Sequence, residues 1–229
     1  MELTTSHAEA LLWAAEIAGE INVAQYWIPR AGFRNATRGD NWVALSRDGE
    51  EIYALALGEN PEIDPNWQNF SLPKSTPREK TEDLQLTGQW AAYFIETKKC
   101  AEFLPAEIIT NEDEITEFLK LSAPDSSVYP GNPEIISWGG IRNEAGLLVA
   151  IGALTQWQSG GKIISSVATH PDYRRQGLGR KLTQGIVRNA RDLGIEVVVL
   201  AVFSKNSSAR ALYESIGFEL MGDFNHFRR

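Results

Sequence analysis

The chain of 229 residues predicts an α/β (α+β) fold, in which a sheet is flanked by helices. Three observations carry this expectation. Capping boxes mark the starts of two helices, Ser6 with Glu9 and Asn111 with Glu114. The run Val197-Val198-Val199-Leu200-Ala201-Val202-Phe203 has no polar alternation, which marks a strand covered on both faces. Between them, residues 178–193 place Leu178, Leu182, Ile186, Val187, Ala190 and Leu193 along one helical stripe.

The elements follow in order. After Ser6, Leu11, Leu12, Ala15 and Ala18 keep one face of a helix, and Gly19 can end it. Runs at 42–45 and 52–55 predict a hairpin around Arg47-Asp48-Gly49-Glu50, since Asp-Gly favours a tight turn. Residues 58–80, with Pro61, Pro65, Pro73 and Pro77, read as a break. Residues 89–99 read as a helix. The pattern shifts near Pro105, which puts a boundary at 100–106 and divides the chain into 1–100 and 101–229. The first unit shows no assignable motif and no convincing repeat. A degenerate second copy of the same fold, a substrate-shaping domain and a dimerisation element all remain open for it.

The second unit predicts a strand at 103–110 and a helix after Asn111 with Ile115, Phe118 and Leu119 inward. Strands follow at 134–141, 147–154 and 162–169, the first two joined by a turn at 142–146. A helix at 178–193 ends at Gly194. Then come the strand at 197–203, a short helix at 206–215 and a closing hairpin from 217–221 and 224–228.

The most informative segment is Val167-Ala168-Thr169-His170-Pro171-Asp172-Tyr173-Arg174-Arg175-Gln176-Gly177-Leu178-Gly179-Arg180. It runs from a strand end through a glycine-bearing loop into a helix. Free N–H groups and the macrodipole at such a helix start favour an anion. Gly177 and Gly179 allow close backbone approach, and Arg174, Arg175 and Arg180 add positive charge. The guest is therefore a di- or triphosphate. No Gly-x-x-x-x-Gly-Lys-Ser/Thr string exists, and two glycines with Arg174 in the first place do not make a dinucleotide fingerprint.

Arg174-x-x-Gly177-x-Gly179 resembles the acetyl-CoA pyrophosphate loop of the GCN5-related N-acetyltransferases (GNAT). The block Asn206-Ser207-Ser208-Ala209-Arg210-Ala211-Leu212-Tyr213-Glu214-Ser215-Ile216-Gly217-Phe218 resembles the family's second signature, Asn-x-x-Ala-x-x-x-Tyr-x-x-x-Gly-Phe. The resemblance covers about residues 101–229. The strings His170-Pro171-Asp172-Tyr173-Arg174 and Ala209-Arg210-Ala211-Leu212-Tyr213 are also similar to the subgroup that includes glycine N-acyltransferase-like proteins.

The resemblance implies the GNAT fold, with a mixed, mostly antiparallel central sheet, and acetyl-CoA as cosubstrate. It implies that the backbone of Val167, Ala168 and Thr169 aligns the pantetheine arm where the fourth and fifth strands splay. Arg174, Arg175, Gln176, Gly177, Leu178, Gly179 and Arg180 would hold the pyrophosphate, Asn206 would contact the cofactor, and Tyr213 would act as general acid toward the leaving thiolate. Read from the residues alone, Asn206 is an N-cap and Tyr213 a core tyrosine. Histone-type relatives carry a glutamate at the position of Ile163, so the general base is unassigned, with Glu134, Glu144, Ser165, His170 or a water relay as replacements. Trp138 and Trp157 lie on strands that flank the expected acceptor site.

Charge is unevenly placed. Residues 1–134 hold 10 Lys/Arg against 23 Asp/Glu, and residues 135–229 hold 12 against 7. The basic excess surrounds the loop, as an anionic cofactor requires, while the acidic first half argues against nucleic acid. The longest apolar run is too short to span a bilayer. The single Cys100 rules out an intrachain disulfide and suits a cytoplasmic setting. His7, His170 and His226 show no metal-ligand spacing. The expected activity is N-acetyl transfer from acetyl-CoA to a primary amine on a small molecule or peptide, without nucleic acid or membrane, with a homodimer left open. The alternative is a CoA-binding sensor without turnover.

Overall fold

The computed structural model describes residues 1–100 and 102–229. The first half of the chain forms β1 (Glu2–Thr4), α1 (His7–Ala18), α2 (Ala24–Trp27), β2 (Phe33–Arg38), β3 (Trp42–Arg47), β4 (Tyr53–Gly58), β5 (Asn69–Pro73) and β6 (Gln85–Glu96). The second forms β7 (Glu107–Ile109), α3 (Glu112–Ser122), β8 (Ile135–Arg142), β9 (Leu148–Gln156), β10 (Lys162–Thr169), α4 (Leu178–Asp192), β11 (Val197–Phe203), α5 (Ser207–Ile216) and β12 (Glu219–Arg228). The capping residues act as expected. Ser6 Oγ accepts from the Glu9 N–H at 3.3 Å, and Asn111 Oδ1 from the Glu114 N–H at 3.1 Å.

All these strands join one sheet in the order β1-β2-β3-β4-β5-β12-β6-β11-β10-β9-β8-β7. Read from either edge, five consecutive strands are followed by one from the other half: β1 to β5 by β12, and β7 to β11 by β6. Each half has a single parallel step, β4 with β5 and β10 with β11, and every other pairing is antiparallel. The fold class is therefore the expected mixed, mostly antiparallel sheet with flanking helices. The boundary expected at 100–106 falls just after β6, and the strand exchange runs across it.

Alternation along the strands separates two faces. On one, Ala10, Trp13 and Ala14 of α1 pack on Val43, Leu45 and Leu55, and Ile115, Phe118 and Leu119 of α3 pack on Trp138, Ile151 and Ala153. On the other, Leu182, Ile186 and Val187 of α4 and Tyr213 of α5 pack on Tyr93, Leu154, Ile164, Val198 and Leu200. In the first half no helix covers that second face. Trp67 from the loop after β4 fills the place, 5.7 Å from the Phe70 ring. No helix among the described residues is long and apolar enough to cross a membrane.

Four sequence expectations are corrected. Residues 89–99 are mostly the end of β6, not a helix; their short apolar run suits either element, and burial on both faces decides for the strand. The region 58–80 hides β5, whose five residues are too few to show a period beside four prolines. The closing hairpin is instead one strand, β12, because β5 pairs with one of its edges and β6 with the other. Leu193, expected inward, is exposed at the end of α4.

Since β6 supplies the edge partner of both β11 and β12, removing residues 1–100 would strip Tyr93 and Ile95 from the second core. The isolated segment 101–229 is expected to lack a sharp thermal transition, whereas the whole chain melts in one calorimetric step. Two well-separated steps in the whole chain would contradict this.

Candidate active site

The parallel step in the second half is barely closed. β10 and β11 share one register pair, Ile163 with Val199, whereas β4 and β5 share three. Past Ile163, β10 bulges between Ser165 and Ala168. Ser166 sits at φ 54°, and its Oγ bonds the Val128 N–H at 3.2 Å and the Val128 carbonyl at 3.0 Å. Val167, Ala168 and Thr169 thus continue along β9 while turning away from β11. Backbone groups that a parallel neighbour would have satisfied face a gap instead.

The loop after β10 is shaped for close approach. Arg174 turns inward, with Nε donating to the Thr169 carbonyl at 3.3 Å and Nη2 to the Ser122 carbonyl at 3.0 Å. Arg175 at φ 60° and Gly177 at φ 77° hold left-handed backbone. Gly177 is the N-cap of α4 and offers no side chain, so the first-turn N–H groups of Leu178, Gly179 and Arg180 have no side-chain cap. A Cβ on Gly179 would lie 3.2 Å from Leu212 Cδ1, so α5 packs directly against the start of α4. Arg180 Nη1 adds a bond to the Ser215 carbonyl at 3.0 Å.

These elements border a cleft of about 1500 Å³. Of the residues singled out from the sequence, Val167, Ala168, Thr169, Arg174, Gly179, Asn206 and Tyr213 line it, and Arg175, Gln176, Gly177, Leu178 and Arg180 sit beside it at the start of α4. Asn206 caps α5 by accepting from the Ala209 N–H at 3.1 Å. Tyr213 is 8% exposed, and burial pushes its hydroxyl up to about 12. Its helix is pinned to two strands. Arg210 Nε donates to the Tyr93 hydroxyl at 3.0 Å and its guanidinium pairs with Asp223 at 2.9 Å, while Tyr93 donates to Glu214 at 2.9 Å.

Among the acid and base candidates, Glu134 and Ser165 line the cleft, while Glu144 and His170 do not. Ile163 is buried where a glutamate was sought. Trp138 belongs to the core beneath α3, but Trp157 lines the cleft.

The cleft passes through the gap between β10 and β11. On the α4 and α5 side it meets Gly179, Leu212 and Tyr213; on the opposite face it meets Trp157 together with residues the sequence did not mark. There Trp27 stands between Trp157 and Trp90, 5.2 Å from each ring. Arg47, Tyr53, Ser71 and His226 continue that wall. Burial holds the His226 imidazole below its usual range. No motif carries these residues. They come from four strands: register across β3, β4 and β5 gathers Arg47, Tyr53 and Ser71, and His226 joins them because β12 pairs with β5.

Residues 92–218 match the model of the acetyltransferase (GNAT) family. An L-amino acid N-acyltransferase of Escherichia coli, MnaT, is 28% identical over 114 residues, covering 48% of this chain and 63% of that protein. An Escherichia coli [ribosomal protein bS18]-alanine N-acetyltransferase is 39% identical over 66 residues, covering 29% of this chain and 45% of its own length. The matches thus span less than two thirds of either relative. In fold, the chain is similar to a Drosophila protein (TM-score 0.59, 13% identity, 98% of this chain and 97% of that one) and to a GCN5-related N-acetyltransferase from Kribbella flavida (TM-score 0.55, 18% identity, 84% and 88%). With the loop, the parted strands and a family match over more than half its length, the chain belongs to the acetyltransferase (GNAT) family.

Proposed function

We propose that this chain transfers an acetyl group from acetyl-CoA to a primary amine by direct attack on the thioester. One observation carries the reading: a single cleft crosses the sheet at the β10–β11 gap, with the anion-favouring loop at one side and an aromatic wall at the other. A thioester lying along β10 is then open to an amine from the far face. In that role the first-turn N–H groups of α4, with Arg175 and Arg180, hold the pyrophosphate, and the backbone of Val167, Ala168 and Thr169 aligns the pantetheine arm and polarises the carbonyl. Preorganised donors of this kind are worth roughly 3–4 kcal/mol each. Relatives named for amino acid and alanine acceptors support an amine on a small molecule or peptide. We assign the reaction to the cytoplasm, which suits the single buried Cys100.

Chemically, the amine nitrogen bonds to the thioester carbon, the C–S bond breaks, and the amine loses a proton. Tyr213 stays protonated throughout the neutral range because its burial opposes the phenolate. It is a weaker acid than a thiol, whose pKa is about 8.5. It therefore stabilises the departing sulfur by hydrogen bonding and passes it a proton only as the proton lost from the attacking nitrogen replaces its own, so that the products are the amide and the free thiol of CoA.

Residues 1–100 we assign to shaping the acceptor side as a degenerate second copy. The strand order supports this, and so do the matched caps at Ser6 and Asn111. The link from β4 to β5 holds no helix and no glycine loop, so the copy would bind no CoA.

Two predictions follow from these roles. Tyr213→Phe is expected to lower kcat on the order of 100-fold with little change in KM for acetyl-CoA. The wild-type rate should rise with pH as the acceptor amine deprotonates and show no fall below about pH 10; a descending limb near pH 8 or a variant within twofold of wild type would remove Tyr213 from the chemistry. Titration calorimetry is expected to give one acetyl-CoA per chain, weakened roughly tenfold by Arg175→Gln. Two sites per chain would contradict the degenerate copy.

A further inference from the structure

The end of the cleft farthest from the gap holds a cation without a counter-charge. Arg47, the last residue of β3, lines the cleft, and its Nε is buried without a hydrogen-bond partner. Among the described residues no carboxylate pairs with the guanidinium, which lies over the Tyr53 ring at 5.1 Å from the centroid. Stacking on a ring satisfies no in-plane N–H. A buried donor on a charged group is costly unless an acceptor occupies the place beside it.

The surrounding strands add a second donor and a recess. His226 of β12 stands opposite Ser71 of β5 on one side and Gly88 of β6 on the other. Ser71 Oγ accepts from Trp90 Nε1 at 3.2 Å and from the Tyr53 hydroxyl at 3.5 Å, and stands 3.0 Å from His226 Nδ1. With both lone pairs of Ser71 taken, its own proton goes to Nδ1, so the imidazole carries its hydrogen on Nε2. Burial keeps that ring neutral near pH 7. The Tyr53 ring, 6.2 Å from the imidazole, connects it to the guanidinium. At Gly88 an added Cβ would meet only the His226 Cβ, at 3.9 Å, so the floor beside His226 is open, with Trp90 two residues along the same face.

This end is remote from the reacting centre. From β3 to β11 is five steps in the strand order, which at about 4.8 Å each makes roughly 24 Å. A small molecule with its anion at Arg47 therefore does not reach the gap, and the two ends of the cleft take different molecules. One full cation and one neutral donor balance a single negative charge, and the planar guanidinium fork matches a carboxylate. Tyr53 and Trp90 add flat apolar walls.

We propose that Arg47 and His226 form a second ligand site, which takes the carboxylate of a small aromatic acid while its ring lies in the recess over Gly88 against Trp90. The site is separate from those of acetyl-CoA and the amine, and it stands on its own whether or not the chain transfers acyl groups.

The test titrates the full chain by calorimetry with benzoate, phenylacetate, 3-phenylpropanoate and indole-3-acetate, each beside its carboxamide. The best acid is expected to bind once per chain, at least about tenfold tighter than its amide, and with the same affinity when CoA is saturating. Arg47→Gln should abolish the acid preference and Arg47→Lys should keep part of it. Gly88→Val, which fills the recess and leaves the charges in place, should weaken acid and amide alike. A melting transition as sharp as that of the wild type separates loss of the site from loss of the fold in each variant. Equal binding of acid and amide, a preference that persists in Arg47→Gln, displacement of the acid by CoA, or no binding by any of the four acids would each overturn the proposal. Release of CoA thiol is measured separately. Acid binding without release with any amine would keep this site and remove acyl transfer; release with no acid binding would do the reverse.

Discussion

A single register pair between β10 and β11 is the constraint on which the site depends. Parallel strands ordinarily satisfy each other's backbone along their whole length. Here the pairing stops at Ile163, the bulge at Ser166 turns the rest of β10 aside, and a sheet that is otherwise continuous acquires an opening. Left-handed backbone at Ser166 and Arg175 accounts for two of the three non-glycine cases among the described residues. Both flank this opening, where locally strained backbone commonly marks function. The Ser166 bonds to Val128 and the Arg174 bonds to Thr169 and Ser122 hold that shape from outside the sheet.

The exchange of β6 and β12 is what makes the opening a two-sided site. β12 joins the first half's sheet to the second, so that residues of β3, β4, β5, β12 and β6 share the face on which the gap opens. The same exchange fixes α5. Tyr93 comes from β6 and Asp223 from β12, and together with Glu214 they hold Arg210 one turn from Tyr213. The strand order is thus connected to the position of the proposed proton donor. A change to residues 1–100 would reach the proposed proton donor through Tyr93 as well as altering the aromatic wall of the cleft.

The second half was legible in the sequence because its signals are local. Lys162–Thr169 and Val197–Phe203 are strands with the expected bounds, and Ser6, Asn111 and Asn206 cap the helices they precede. What was not legible is non-local. Residues 89–99 look alike as helix or strand until β11 and β12 enclose them. Phe224–Arg228 reads as half of a hairpin until β5 takes its other edge. Asn69–Pro73 is too short to show a period. Arg47, Ser71 and His226 carry no shared motif, since register across three antiparallel and parallel pairings brings them together rather than spacing. The absence of an acid at Ile163 was plain from the sequence, and of the side chains weighed in its place Glu134 and Ser165 line the cleft.

A crystal structure of the full chain with CoA and an amine ligand bears most directly on the central claim. The account predicts the pantetheine arm in the gap between β10 and β11, bonded to the backbone of 167–169, with the pyrophosphate on the first turn of α4 and the amine entering from the tryptophan face. CoA bound elsewhere, or a closed gap with donor and acceptor on the same face of the sheet, would contradict it.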